Sequence, residues 1–368
     1  MNILNRKHFS IYLVTLFIFS VFYLYQKHLV GNDSTISEWL INYEGGFTKR
    51  GLIGQITIYL SYLIDIKLRL SIFIFQITII AIYYLLLNNF ISNLKLNNLI
   101  IFSIFTPIFV LYPIAEIEVL ARKETFLYCF FLLYLLLDNK IHKNIYKLTI
   151  LPLAILVWEP VIFFFPFWFI IDFFEHNKRN IIKSLFNDII FYLPAIFLAI
   201  FIAFNPISSE GHKEMANFLK NEFNEACYMS CELLLHKSKI TQQFTAVFDL
   251  FTFERIIRYF LVLLVGFGPL IILIKHSKFK KLNAKIISLF VSLPIIVLFL
   301  MMTDWGRAVN MYYTFSILTF LYLFKKNYLK LNQLYKQNFF VKIHILSEIY
   351  SINVNTLANE SKRMQSQQ

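Results

Sequence analysis

Runs of apolar residues suited to crossing a hydrocarbon layer of about 30 Å recur along most of the chain. They cover residues 9–25, 70–90, 99–113, 125–137, 148–171, 189–204, 256–274, 286–302 and 311–324, and polar residues collect between them. The runs are too apolar on all faces for barrel strands. A backbone in lipid must also satisfy its own hydrogen bonds, so helices are predicted. The first run ends in Tyr23-Leu24-Tyr25-Gln26-Lys27 with no small-residue cleavage pattern and reads as an uncleaved anchor. The run over 148–171 is interrupted by Trp158-Glu159-Pro160. Pro160 disfavours helix at Glu159 and lacks an N–H, so a helical hairpin is predicted there. Residues 51–64 are apolar but short and carry Gln55, Thr57, Tyr59 and Ser61; they are expected to lie at the outer interface or dip in and out. The expected fold is an all-α polytopic transmembrane bundle of about 9–11 hydrophobic helices. Residues 1–325 form a single transmembrane domain with outer loops 27–50 and 205–254, and 326–368 form a basic cytoplasmic tail on the anionic leaflet.

Composition sharpens the class. Hydrophobic residues make up 58% of the 368 positions and charged residues 15%, against roughly 45–50% and about 25% in soluble domains. That excludes an ordinary soluble enzyme and a disordered tail. The net charge of +13 reads as topology rather than as a nucleic-acid footprint. Four connections carry it: 139–147 with Lys140, Lys143 and Lys147, then 177–183, 275–285, and the tail from Lys325. With these on the cytoplasmic side, both termini are cytoplasmic and 148–171 leaves and returns. Lys67 and Arg69 then fall on the outer side, against the rule. Three cysteines exclude a disulfide scaffold; Cys227 and Cys231, four apart in the outer loop, could form a bond, although helical geometry is poor for one and their spacing leaves their redox state open. No His/Cys spacing resembles a zinc site and no nucleotide-binding glycine pattern occurs, so no metal and no cofactor are expected.

Four polar patches fall on one side of this topology. The first holds Glu44-Gly45-Gly46-Phe47-Thr48-Lys49-Arg50-Gly51, in which the glycine pair suits a tight loop and Glu44 and Arg50 flank it. The second holds Glu118, Arg122, Lys123 and Glu124. If it is helical, Glu118 and Arg122 pair on one face, and the planar fork of Arg122 suits a pyrophosphate clamp. The third is Glu159, whose pKa an apolar setting is expected to raise, as suits a general acid or base. The fourth is Asp304-Trp305-Gly306-Arg307: Asp304 as cap or acid, Trp305 as a belt residue, and Arg307 in need of a partner or an anionic ligand. Structural readings stand beside each: a turn, a salt-bridged loop, a capped kink and a helix start. Arginines and carboxylates at the membrane–water boundary suit a substrate with a lipid tail, a phosphate and a polar head.

Together, Glu44–Gly54, Arg122-Lys123-Glu124, Trp158-Glu159 and Asp304–Arg307 resemble patches in bacterial polytopic proteins of surface-polysaccharide clusters, the O-antigen and capsule repeat-unit polymerases. The resemblance covers the layout of the chain and these four patches. It implies an inner-membrane glycosyltransferase acting at the periplasmic face on undecaprenyl-linked oligosaccharides, with a chain-length regulator as a further partner and no nucleic acid. In that reading Glu44, Glu159 and Asp304 supply acid–base groups, and Arg50, Arg122, Lys123 and Arg307 bind phosphate. Loop 205–254 departs from the arginine-rich outer loop of many polymerases, having lysines but no arginine. The alternatives are a flippase or transporter of the same lipid-linked oligosaccharide and a non-catalytic envelope assembly protein.

Overall fold

The computed structural model describes residues 6–30, 34–92, 94, 98–175, 181–232, 234, 252–279, 284–301 and 304–331. The first half builds α1 (Arg6–Leu29), α2 (Ser34–Leu40), α3 (Gly51–Ile64), α4 (Leu68–Ser92), α5 (Asn98–Ile104), α6 (Tyr112–Ala115) and α7 (Glu124–Leu136). The second half adds α8 (Lys140–Val157), α9 (Phe165–Glu175), α10 (Ile181–Phe204), α11 (Ser209–Phe223), α12 (Met229–Glu232), α13 (Phe253–Lys275), α14 (Ala284–Met301) and α15 (Trp305–Lys325). Two short strands, β1 (Ser277–Phe279) and β2 (Leu329–Leu331), pair antiparallel. The chain is an all-α bundle.

Among the described residues, four stretches are alone long and apolar enough to span a membrane: Lys7–Leu29, Leu68–Ser92, Asn98–Ala115 and Ile256–Lys275. The pair Asp188–Phe204 and Ser209–Phe223, bent by 96°, makes a fifth if counted as one span. Only 17% of the apolar window in Ile256–Lys275 is buried inside the protein, and side chains such as Phe260, Leu264 and Val265 project outward. A helix apolar on its exposed face needs a lipid environment, so this is an integral membrane protein. Gly51–Ile64, Glu124–Leu136 and Lys285–Leu300 are apolar but shorter.

Side-chain contacts sort the helix ends into two poles. Ser10 bonds Asn88 at 3.0 Å where α1 begins and α4 finishes, and Lys326 pairs with Asp138 at 2.5 Å where α15 and α7 finish. At the other pole, where α4 begins, Arg69 donates to the carbonyls of His28 and Val30. α8 and α9 form the expected hairpin: α8 stops at Val157, Trp158 is extended (φ −159°, ψ 102°), and a short 3-10 turn from Glu159 to Phe164 leads into α9. α3 packs on α2 and α4; Ser71 donates to the carbonyl of Thr57 at 2.9 Å. The middle of the bundle is aromatic. Phe315 sits against Phe131, Phe164 and Trp168, with ring centroids 4.8, 4.7 and 5.3 Å away.

The topological reading of Lys143 and Lys147 needs correction. α8 begins at Lys140, so these residues lie one turn apart inside a helix and are buried instead of lining a surface loop. Lys147 pairs with buried Asp172 at 2.8 Å, and Asp172 also accepts from Tyr134 and, at 2.9 Å, from Tyr192. Lys143 pairs with Glu175 and donates to Tyr322 Oη at 3.1 Å. Buried lysines of this kind persist only when paired. The basic connection 177–183 and the tail beyond residue 331 lie outside the described residues or side chains.

Candidate functional site

The pole opposite the lysine pairs carries the arginines. Two backbone devices present them. Tyr43 to Gly46 form a tight turn, with the Gly46 amide donating to the Tyr43 carbonyl at 2.9 Å and Gly46 at φ +98°. A methyl group on Gly45 would stand 1.7 Å from the Gly211 carbonyl oxygen, so glycine lets α11 close onto this loop. Arg50 follows in a left-handed conformation (φ 64°, ψ 9°) that starts α3, and its side chain reaches Glu159 instead of capping the helix. The second device is Ala121, also left-handed at φ 54°, just before Arg122. Its carbonyl accepts from Trp39 Nε1 at 3.1 Å and from Gln76. Non-glycine residues in this region persist when their surroundings over-determine them, which is common where a side chain must be aimed.

Three arginines arrive in one cluster. Arg50 grips Glu159 with a two-pronged fork, Nε to Oε2 and Nη2 to Oε1, both at 2.9 Å. Arg122 Nη2 donates to Glu38 Oε1 at 2.7 Å, and Arg307 Nη1 lies 3.5 Å from the same oxygen. Arg307 Nε lies 3.1 Å from Glu124 Oε1, a contact not aligned as a hydrogen bond. Lys123 is wholly buried and donates to the Arg50 carbonyl, which ties the two arginine-bearing loops together. Asp304 caps α15 by accepting from the Arg307 amide at 3.2 Å, while its other oxygen lies 4.0 Å from Arg122 and 3.9 Å from Arg307.

The electrostatics divide these groups into locked and free. Burial alone pushes the Glu38 carboxyl up, but Arg122 and Arg307 outweigh it and hold it well below the carboxylate range. Glu159 lies at the pole instead of within an apolar span, and Arg50 overrides burial there too, so its pKa falls below the ordinary value. The expected rise is thus reversed: an acid held in a guanidinium fork stays ionised. Lys123 goes the other way. Burial, with Arg50 nearby, pushes it down to about 7, against the pull of Glu38, Glu159 and Glu124. Asp304 is 44% exposed and loosely held, and so is the acid able to meet a solute. Glu38 Oε2, Arg122 Nε and both Glu124 oxygens are buried with no hydrogen-bond partner among the described residues, so the cluster keeps open donor and acceptor capacity.

The structure therefore brings Arg50, Arg122, Lys123, Glu159, Asp304 and Arg307 together. It leaves Glu44 out: that side chain is exposed and accepts from Gln55 at 2.7 Å. The expected Glu118–Arg122 helical pair is overturned. The left-handed turn at Ala121 separates them, and Glu118 pairs with Lys27 at 2.5 Å instead. Trp305 is buried, donating to the Phe299 carbonyl at 3.2 Å, and is no belt residue. Glu38 completes the cluster without standing out in the sequence, and Glu124 of the second patch joins it through Arg307; the one signal for Glu38 was an acidic residue beside apolar ones.

The described part of loop 205–254 covers this pole. Arg69 pairs with Glu225 and donates to Tyr228 Oη at 2.7 Å, which gives the arginine at odds with the charge rule its partner. Cys227 and Cys231 are joined by a disulfide, their Cα atoms 5.3 Å apart. His212 Nε2 lies 3.3 Å from Cys227 Sγ, so His212 and the two cysteines do converge, contrary to the spacing argument; bonded to each other, the sulfurs are not thiolate ligands. Ser37 Oγ accepts from the Ser230 amide at 2.5 Å, linking α12 to the helix that carries Glu38. No protein-family model matches this chain, and no curated protein and no solved structure matches it either.

Proposed function

We propose that this chain is a bacterial inner-membrane glycosyltransferase that acts on undecaprenyl-linked saccharides at its arginine pole, extending O-antigen or capsule repeat units on the periplasmic side. The observation that carries the reading is the convergence of Arg50, Arg122 and Arg307 beside an exposed acid at the end of a lipid-facing bundle. Planar guanidinium groups match the oxygens of a pyrophosphate, and buried donors stabilise charge far better than exposed ones. Arg122 and Arg307 share Asp304 at its loosest contacts, so an incoming phosphate displaces the weakest partner first.

The reaction balances without a nucleotide. An acceptor sugar hydroxyl attacks the anomeric carbon of the donor as the bond from that carbon to the pyrophosphate oxygen breaks. The leaving undecaprenyl pyrophosphate takes the electron pair and is met by Arg122 and Arg307. The hydroxyl proton passes to Asp304, the one cluster carboxylate exposed and loosely enough held to receive it. Glu38, Glu124 and Glu159 position the arginines. A chain-length regulator is a further partner consistent with such a polymerase.

Gene deletion followed by electrophoresis of surface polysaccharide tests this. Loss of the ladder with single-repeat caps retained is expected, with rescue by wild type but not by Arg122→Ala at equal protein level. Loss of every repeat unit would identify a flippase or an earlier transferase, and a normal ladder from Arg122→Ala would remove the phosphate role.

A further inference from the structure

The lysine pole holds a second feature, unconnected with the arginine cluster. A groove of about 970 Å³ opens between the end of α13, β1 and the start of α14, rimmed by Lys275, Lys278 and Lys285 with Ser277 and Ser292. Beside it lies a half-open apolar chamber of about 250 Å³ between α9, α13, α14 and α15, walled by Phe167, Phe267, Leu270, Val291 and Phe320. Ile271, Ile274, Phe279 and Ser288 line both, so the basic mouth adjoins the apolar chamber directly.

The strand pair adds an independent sign of an anion. β1 and β2 are in a register that sets Lys278 directly opposite Lys330, and both are exposed. Opposite residues of an antiparallel pair point to the same face, and like charges so placed repel. A shared negative group between them removes that repulsion. The position fits a lipid rather than a free solute: Lys275 ends a span of 20 residues whose exposed face is apolar, so the rim stands at the level of headgroups.

We propose that this groove is a binding site for an anionic phospholipid. Its phosphate is held by Lys275, Lys278 and Lys285 at the rim, with Lys330 adding charge from beside Lys278 on the neighbouring strand, and one acyl chain enters the chamber lined by Phe167, Leu270 and Val291. Basic pockets between spans recognise anionic headgroups by charge, and the apolar chamber adds the contact area that a headgroup alone lacks.

The test uses the purified full chain in a neutral detergent. Native mass spectrometry and thermal unfolding follow titration with phosphatidylglycerol, phosphatidylcholine of the same acyl chains, and sn-glycerol 3-phosphate. Phosphatidylglycerol is expected to be retained and to raise the midpoint, and the other two to do neither. The double variant Lys278→Gln/Lys330→Gln, exposed on the strands and harmless to packing, should weaken retention by about tenfold or more. Val291→Trp, which fills the chamber, should abolish retention. Equal retention of the two lipids, or retention unchanged in the lysine variant, would overturn the site. Protection by sn-glycerol 3-phosphate equal to that by phosphatidylglycerol would reassign it to a water-soluble phosphate and overturn the lipid assignment.

Discussion

Glu38→Ala is expected to be the most damaging single substitution at the arginine pole. It removes the carboxylate on which Arg122 and Arg307 converge and leaves two guanidinium groups facing each other, with side chains only 10% and 8% exposed. Deleting one partner of a buried ion pair costs about 3–5 kcal/mol, because the remaining charge stays desolvated. Here one deletion weakens two: among the described residues Arg122 keeps only Asp304 at 4.0 Å, and Arg307 keeps Glu124 at 3.1 Å. Glu38 also sits on α2, which Ser37 fastens to α12, so its loss loosens the covering segment as well. Glu38→Gln keeps the shape and one acceptor and is expected to lose less. Thermal unfolding of purified protein in detergent ranks the variants; Glu38→Ala unfolding with wild type would mean that the arginines are held elsewhere.

The Arg50–Glu159 fork carries the second large effect. Both bonds are 2.9 Å and join residues 109 positions apart, so the pair staples the loop before α3 to the break in the α8–α9 hairpin. Arg50→Ala and Glu159→Ala should each destabilise strongly, while the double alanine variant should be no worse than either alone. A coupling energy of about 2 kcal/mol is expected, within the range for residues in direct contact. The exchanged pair Arg50→Glu/Glu159→Arg should recover much of the stability, yet leave activity low, because the guanidinium then starts from the hairpin and not from the loop that Lys123 anchors. Additive single effects in the cycle would show that the fork does not hold these elements together.

What the sequence disclosed follows from where the physics is local. Span positions depend on run length and composition, and the hairpin on Pro160, which acts on its own neighbours. Arg50, Arg122, Glu159 and Arg307 stood out because charges beside apolar runs need partners. The pairing was not local. Ala121 adopts a left-handed conformation that nothing about alanine announces, and that single turn sends Arg122 to Glu38 and Glu118 to Lys27. Lys143 and Lys147 looked like loop lysines because the start of α8 is invisible without Asp172 and Glu175, which approach from α9. Glu159 was misjudged for the same reason: its own neighbours are apolar, and the group that fixes its charge lies more than a hundred residues away.

The most direct measurement is the affinity of the full chain, reconstituted in nanodiscs, for undecaprenyl pyrophosphate, with undecaprenol as the phosphate-free control. Wild type should bind the pyrophosphate and not the alcohol, and Arg122→Gln should weaken that binding by about tenfold or more, the scale of a lost charged hydrogen bond. Equal affinity for the two lipids, or for wild type and variant, would contradict a phosphate-gripping role for the arginine cluster.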